Sequence, residues 1–212
     1  MDINKYRHII WDWNGTLLND VDYCIACMNQ LLKKRQMQPL EKARYRDIFT
    51  FPVEDYYKEI GFDFAKDPFD VVGHEFIHSY YSDLSSCGLH PQAKGLLQFF
   101  QKSAKQQFVL SAMEHQALLN FLKSYDILHY FEGVYGIDNH LGAGKIDRAQ
   151  SMIESHHIDM SQALLIGDTL HDKEVADELG CDILLVAQGH QSRLRLKASG
   201  AKVVDSLSDM IQ

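Results

Sequence analysis

The sequence predicts an α/β protein, a doubly wound parallel sheet interrupted near its start by an all-helical insertion. Three observations predict it. The apolar run His8-Ile9-Ile10-Trp11 ends abruptly in Asp12 and the turn Trp13-Asn14-Gly15, as a buried strand does when it delivers a carboxylate to a sheet edge. A second run, Ala163-Leu164-Leu165-Ile166, spills in the same way into Gly167-Asp168, with Asp172 in the next turn of chain. From His90 onward, strand-like and helix-like segments alternate, which is the pattern of parallel strands joined by crossover helices.

Taken in order, the first strand ends at Asp12. Val21, Cys24, Ile25, Met28, Leu31 and Leu32 then recur in steps of three and four, which predicts an amphipathic helix capped by Asn19 or Asp20. More helical segments follow to about residue 85, punctuated at Pro39, Pro52, Gly61 and Pro68, with no strand pattern among them. Beyond Cys87, helices are expected near 92–104, 114–124, 146–156, 171–179 and 192–198, and strands near 107–111, 133–135, 163–166, 182–186 and 202–204. The expected division is a Rossmann-like core of residues 1–16 and 87–212 with a helical cap of residues 17–86. Doubly wound sheets bind ligands at the carboxyl ends of their strands, beside the point where strand order reverses. Asp12, Ser111 and Asp168 fall at such ends.

A chain of 212 residues is long enough for one full α/β core plus a small lid. Its formal net charge of −8, with no Lys/Arg-rich stripe, argues against a nucleic-acid partner. No apolar run approaches the ~20 residues that span a bilayer, and the first residues do not read as a leader, so a cytoplasmic protein without a membrane partner is expected. Cys24, Cys27, Cys87 and Cys181 are too sparse for a disulfide scaffold, in keeping with a reducing compartment.

The run Asp12-Trp13-Asn14-Gly15-Thr16-Leu17, the strand Phe108-Val109-Leu110-Ser111, Lys145, and Gly167-Asp168-Thr169-Leu170-His171-Asp172 stand in an order that resembles the haloacid dehalogenase superfamily. The inserted cap resembles those of its phosphoglycolate phosphatase-like and phosphomutase-like members. That resemblance implies a magnesium-dependent phosphatase acting on a small phosphorylated metabolite through an aspartyl-phosphate. Asp12 would be the nucleophile. Asp12, the Asn14 carbonyl and Asp168 would hold Mg2+, with Asp172 binding through water or steadying the others. Ser111 would donate to a phosphoryl oxygen, Lys145 would offset charge, and the Gly15 and Thr16 amides would cradle the transferring group. Arg44, Arg46 and Tyr56 are candidate cap residues for the substrate's far end.

The sequence departs from the family pattern at Asn14, where most of these phosphatases carry an aspartate that protonates the leaving oxygen. Asn cannot exchange that proton, a loss worth ~10²–10⁴-fold in rate. Three explanations stay open: a substrate with a good leaving group, another acid such as His115 or His171, or a phosphate-ligand binding protein that keeps the metal site and turns over poorly. Asn14-Gly15 is also prone to deamidation. Two smaller departures are Ile146, where a proline is common after the lysine, and the bulky Trp11 and Trp13, read as packing, with Trp13 within reach of the pocket wall. A dehalogenase would not need Asp168 and Asp172 together, and a phosphonate hydrolase would want a small residue at position 14.

Two other motifs read as structural. His74-Glu75-Phe76-Ile77-His78 fits the zinc-protease pattern, but the extended form would need Gly and His where Tyr81 and Leu84 stand. Cys24-Ile25-Ala26-Cys27 lies within the apolar helical stripe and has no second pair to complete a zinc site.

Overall fold

The computed structural model describes residues 3–137 and 144–211. Strand β1 (His8–Trp11) is buried on both faces, which is why it reads as an unbroken apolar run. Strand β2 (Leu18–Asn19) leads into four helices, α1 (Val21–Lys34), α2 (Lys42–Ile48), α3 (Val53–Ile60) and α4 (Phe69–Ser82), and the chain returns through β3 (Gly88–Leu89). The core resumes with α5 (Ala93–Lys102), β4 (Gln106–Glu114), α6 (His115–Ser124), β5 (Gly133–Ile137), α7 (Lys145–His156), β6 (Ala163–Gly167), α8 (Leu170–Leu179), β7 (Asp182–Val186), α9 (Arg193–Ala198) and β8 (Lys202–Val204).

The six-stranded sheet has the order β5-β4-β1-β6-β7-β8 with every pairing parallel. The chain builds outward from β1 through β4 to β5, then crosses back to lay β6, β7 and β8 on the other side. The crevice at the carboxyl end of β1 is therefore the switch point. Alternate residues serve the two faces: Ile9, Trp11, Leu164 and Ile166 join one cluster of buried side chains, and Ile10, Phe108, Leu110 and Leu165 join the other. The Trp11 indole N–H donates to Gln107 Oε1 at 3.1 Å, which satisfies the polar atom of this fully buried ring. Trp13 is fully buried against Tyr125, with ring centroids 6.0 Å apart, and is not part of the pocket wall.

The helical insertion follows the sequence punctuation. Pro52 and Pro68 precede the first residues of α3 and α4, and Gly61 (φ +114°) ends α3 in the left-handed region that glycine adopts without strain. Two features differ from the sequence expectation. Leu18–Asn19 and Gly88–Leu89 pair as a two-stranded antiparallel ribbon that ties the two limbs of the insertion together. Runs of two residues are too short to carry an alternation. Strand β4 also continues past Ser111 to Glu114, with its register to β5 slipping between Leu110 and Glu114. Ser111 thus lies at a break in the ladder instead of at the strand's last residue. Among the described residues, no helix is long and apolar enough to cross a membrane.

Candidate active site

Asp12 and Asp168 each follow the last residue of a strand, and these strands are neighbours: Trp11 is in register with Ile166, and the Asp12 amide donates to the Ile166 carbonyl at 2.9 Å. The register sets Asp12 opposite Gly167, so the two acids leave neighbouring strand ends one residue apart. Thr169 and Asp172 form a capping box at the start of α8, so Asp172 is folded back toward the strand end. Asp12, Asp168 and Asp172 are all buried, and each offers an oxygen within 4.8 Å of the others.

Lys145, the first residue of α7, reaches into this trio. Its Nζ donates to Asp12 Oδ1 and to Asp172 Oδ1, each at 2.7 Å, from a side chain that is only 3% exposed. Asp172 Oδ2 accepts from the Thr169 amide at 3.0 Å, the Thr169 hydroxyl at 2.7 Å and the Asp168 amide at 3.2 Å. Both oxygens of Asp172 are therefore engaged. Asp168 Oδ1 accepts from the Thr16 hydroxyl at 3.0 Å and Oδ2 from the His190 amide at 2.5 Å. A Cβ added at Gly189 or at Gly15 (φ +76°) would fall against the Asp168 side chain, so both close approaches require glycine.

Beside the trio lies a second buried network. Asp20, read as a helix cap, makes no capping bond. Its Oδ1 accepts from the Gly15 amide at 2.8 Å and pairs with His190 Nε2 at 3.3 Å, while Oδ2 accepts from Asn14 Nδ2 at 3.1 Å and from the Tyr80 hydroxyl. Asn14 Nδ2 also donates to Tyr80 Oη at 2.7 Å. Nδ1 of His190 lies 2.6 Å from the Tyr45 hydroxyl. Tyr80 and His190 carry no sequence signal of this role, and Asp20 carries only that of a helix cap. The nearest to one for His190 is Gly189-His190 shortly after an apolar strand.

The Gly15 and Thr16 amides, expected to cradle a phosphoryl group, are spent inside the turn. Gly15 N donates to Leu18 O and Asp20 Oδ1, and Thr16 N to Trp13 O at 3.3 Å. The Thr16 hydroxyl steadies Asp168 instead. Ser111 is buried, and its Oγ accepts from the Met113 amide at 3.0 Å, which leaves the hydroxyl proton to donate into the cavity it lines. Of the two alternative acids, His171 lines that cavity and its ring lies 4.9 Å from Phe51, whereas His115 does not line it and receives the Gly136 amide at 3.4 Å. Glu75, the base of the zinc-protease pattern, is occupied by Arg35, at 3.1 Å from Nη1.

Four buried carboxylates, Asp12, Asp20, Asp168 and Asp172, face two buried cationic side chains, Lys145 and His190. Burial alone would lower Lys145 and His190, but the carboxylates outweigh it: Lys145 is held above its ordinary value and His190 is pushed up to about 9. Burial drives Asp12 and Asp168 up, and the neighbouring acids add to the rise, more than Lys145 and His190 offset. With Asp12, Asp168 and Asp172 ionised against Lys145, two negative charges remain on oxygen donors within 4.8 Å of one another, a set that suits a hard divalent cation.

The cavity holds about 250 Å³ between the acid cluster and the helical insertion. Its far walls are aromatic, including Phe49, Phe51, Tyr56, Tyr57, Phe69 and Phe76. Arg44 instead points to Glu59, and Arg46 donates to the carbonyls of Ala187 and Gln191. Neither arginine faces the cavity, while Tyr56 does.

Residues 9–186 match the family model described as haloacid dehalogenase-like hydrolase. The chain belongs to that family. No curated protein matches the sequence. Among solved structures, a haloacid dehalogenase-like family hydrolase from Streptococcus pneumoniae is 22% identical, with 94% of this chain and 93% of that one covered and a TM-score of 0.78. A predicted phosphoglycolate phosphatase from Haemophilus somnus is 17% identical, with 98% and 97% covered and a TM-score of 0.77. Protein Tyrosine Kinase A from Mycobacterium tuberculosis is 15% identical, with 97% and 96% covered and a TM-score of 0.79. At these identities the likeness shows the fold, and the differing names given to these relatives leave the chemistry of this haloacid dehalogenase-like hydrolase to its own residues.

Proposed function

We propose that this hydrolase is a magnesium-dependent phosphatase that cleaves a small phosphorylated metabolite through an aspartyl-phosphate on Asp12. The observation that carries the reading is Lys145 bridging Asp12 and Asp172 beside Asp168, a buried cluster whose charge is short of one divalent cation. Asp12, the Asn14 carbonyl and Asp168 would hold Mg2+, with Asp172 binding through water or steadying the others, since its Oδ2 accepts three hydrogen bonds and its Oδ1 is held by Lys145. The ion, when bound, would neutralise phosphoryl oxygens that otherwise repel the nucleophile.

The chain's own groups do the rest. Lys145 occupies Asp12 Oδ1 and fixes its carboxylate, leaving Oδ2 to attack phosphorus. As the Oδ2–P bond forms, the bond to the leaving oxygen breaks and its electron pair departs with that oxygen. The Ser111 hydroxyl donates to a phosphoryl oxygen. Water then attacks the same phosphorus and releases the Asp12 carboxylate. One of its protons stays on the product phosphate and the other ends on the departed oxygen. Residues 17–86 act as a cap over a core of residues 1–16 and 87–212, with the short ribbon at residues 18–19 and 88–89 as its hinge. Four free cysteines, three of them buried, suit a reducing cytoplasm.

The test is phosphate release from a panel of monoesters with and without Mg2+. Release is expected only with the ion, and Asp12→Asn should lower it by about 10⁴-fold or more. Binding of phosphate esters without turnover, or turnover indifferent to Asp12→Asn, overturns the reading.

A further inference from the structure

We infer that the site takes an aryl phosphate: a monoester whose leaving oxygen sits on a single aromatic ring, with no second anionic group and with a polar atom for the Tyr56 hydroxyl. This rests on the phosphatase reading and names its substrate class. Two independent features converge on it, one in the cap and one in the nucleophile turn.

The first is the chamber. Among the described residues, Lys145 is the one lysine or arginine lining it, and its charge is committed to Asp12 and Asp172. The acidic side chains of Asp20 and Asp70 line it too. His190, the other cationic side chain in the lining, is paired with Asp20, and His74 and His171 set their Nδ1 atoms on the Asp70 carbonyl and Glu174, so a second anionic group, such as the carboxylate of phosphoglycolate, would meet rings, carboxylates and imidazoles that already have partners. The rings themselves form a continuous wall: Phe49 lies 5.5 Å from Phe51 and 5.2 Å from Tyr56, and Tyr56 lies 5.5 Å from Tyr57. Such walls favour an aromatic guest by area and by edge and offset ring contacts. An apolar cavity of ~150 Å³ accepts benzene, so about 250 Å³ accommodates one ring and a phosphoryl group.

Within this wall Tyr56 is 2% exposed, and its hydroxyl has no hydrogen-bond partner among the described residues. A buried orphan hydroxyl is costly and is satisfied once a ligand supplies an acceptor or donor.

The second feature is Asn14. The chamber alone would admit an apolar alkyl phosphate, but an alkoxide leaves poorly unless it is protonated. Asn14 has no proton to give, and its Nδ2 is bonded to Asp20 and Tyr80. A phenolate, with a conjugate acid of pKa ~10, departs as the anion. Its electron pair leaves with the ring oxygen, which later takes a proton from the attacking water. The missing acid and the aromatic wall therefore select the same compound class.

The experiment measures kcat/KM of the full chain with Mg2+ on phenyl phosphate, cyclohexyl phosphate and phosphoglycolate. Phenyl phosphate is expected to exceed each of the others by ~10²-fold or more, the size of a missing acid's contribution. Tyr56→Phe should lower kcat/KM for phenyl phosphates with a ring hydroxyl or methoxy group by up to about tenfold relative to its effect on phenyl phosphate. If phosphoglycolate or cyclohexyl phosphate matches phenyl phosphate, the aryl assignment falls while the phosphatase reading stands. If none of the three releases phosphate, the aryl assignment falls, and the phosphatase reading falls as well only if the wider monoester panel is also inert. Equal responses of plain and substituted rings to Tyr56→Phe remove Tyr56 from the assignment.

Discussion

Asn14 donates its side-chain N–H bonds to Asp20 and Tyr80 and accepts no part in proton transfer. A carboxyl group introduced there by Asn14→Asp would face the Asp20 carboxylate across the present 3.1 Å contact. Two carboxyl groups that close cannot both ionise readily, so one is pushed toward its protonated form, which is the form a general acid needs. Asn14→Asp is expected to raise kcat/KM for an alkyl phosphate by ~10²-fold and to change that for phenyl phosphate far less. Steady-state rates on the two esters check this, and unchanged or lower alkyl rates reject it. Asp12, Ser111, Lys145, Asp168 and Asp172 were legible because each sits at a strand end or in a motif. Asp20 was legible only as a cap, since its role depends on Tyr80 and His190, which are distant in sequence.

The ribbon of β2 and β3 is where the insertion meets the nucleophile turn, and His90 secures it. The His90 amide donates to Leu17 O at 2.9 Å, and its ring Nε2 donates to the Gly15 carbonyl at 3.1 Å. Burial is the main cause that lowers the His90 pKa, to about 4, although the Gly15 contact and Asp20 pull the other way. Between pH 6.5 and 4 the unfolded chain therefore binds a proton that the folded chain does not. Stability from this group is complete above pH 6.5 and is lost as the pH falls toward 4, by on the order of 2–3 kcal/mol. Urea unfolding at stepped pH should show a steeper acid loss in the native chain than in His90→Gln, and parallel profiles would contradict this. The ribbon was invisible in the sequence because four residues cannot show a period. The cap helices were visible because Pro52, Gly61 and Pro68 bound them and α1 carries a clear apolar stripe.

Across the whole molecule, sheet order does the positioning. Laying β4 on one side of β1 and β6 on the other brings residues from positions 12, 111 and 168 to one crevice, and α7 and α8 deliver Lys145 and Asp172 to it. That much followed from apolar runs and their acidic ends. The chamber did not, because aromatic residues scattered from Phe49 to Phe76 read equally well as core until α2, α3 and α4 are folded over the crevice. The expectation that Arg44 and Arg46 read the substrate failed for the same reason: both are used to bind neighbouring protein oxygens.

On the proposed reading, one divalent ion binds between Asp12 and Asp168. Mn2+, a spectroscopic stand-in for Mg2+ at oxygen donors, can be titrated into the full chain and followed by electron paramagnetic resonance. A single site is expected in the native chain, with a loss of affinity by ~100-fold or more in Asp168→Asn. No site in the native chain, or one that Asp168→Asn leaves unchanged, would contradict it.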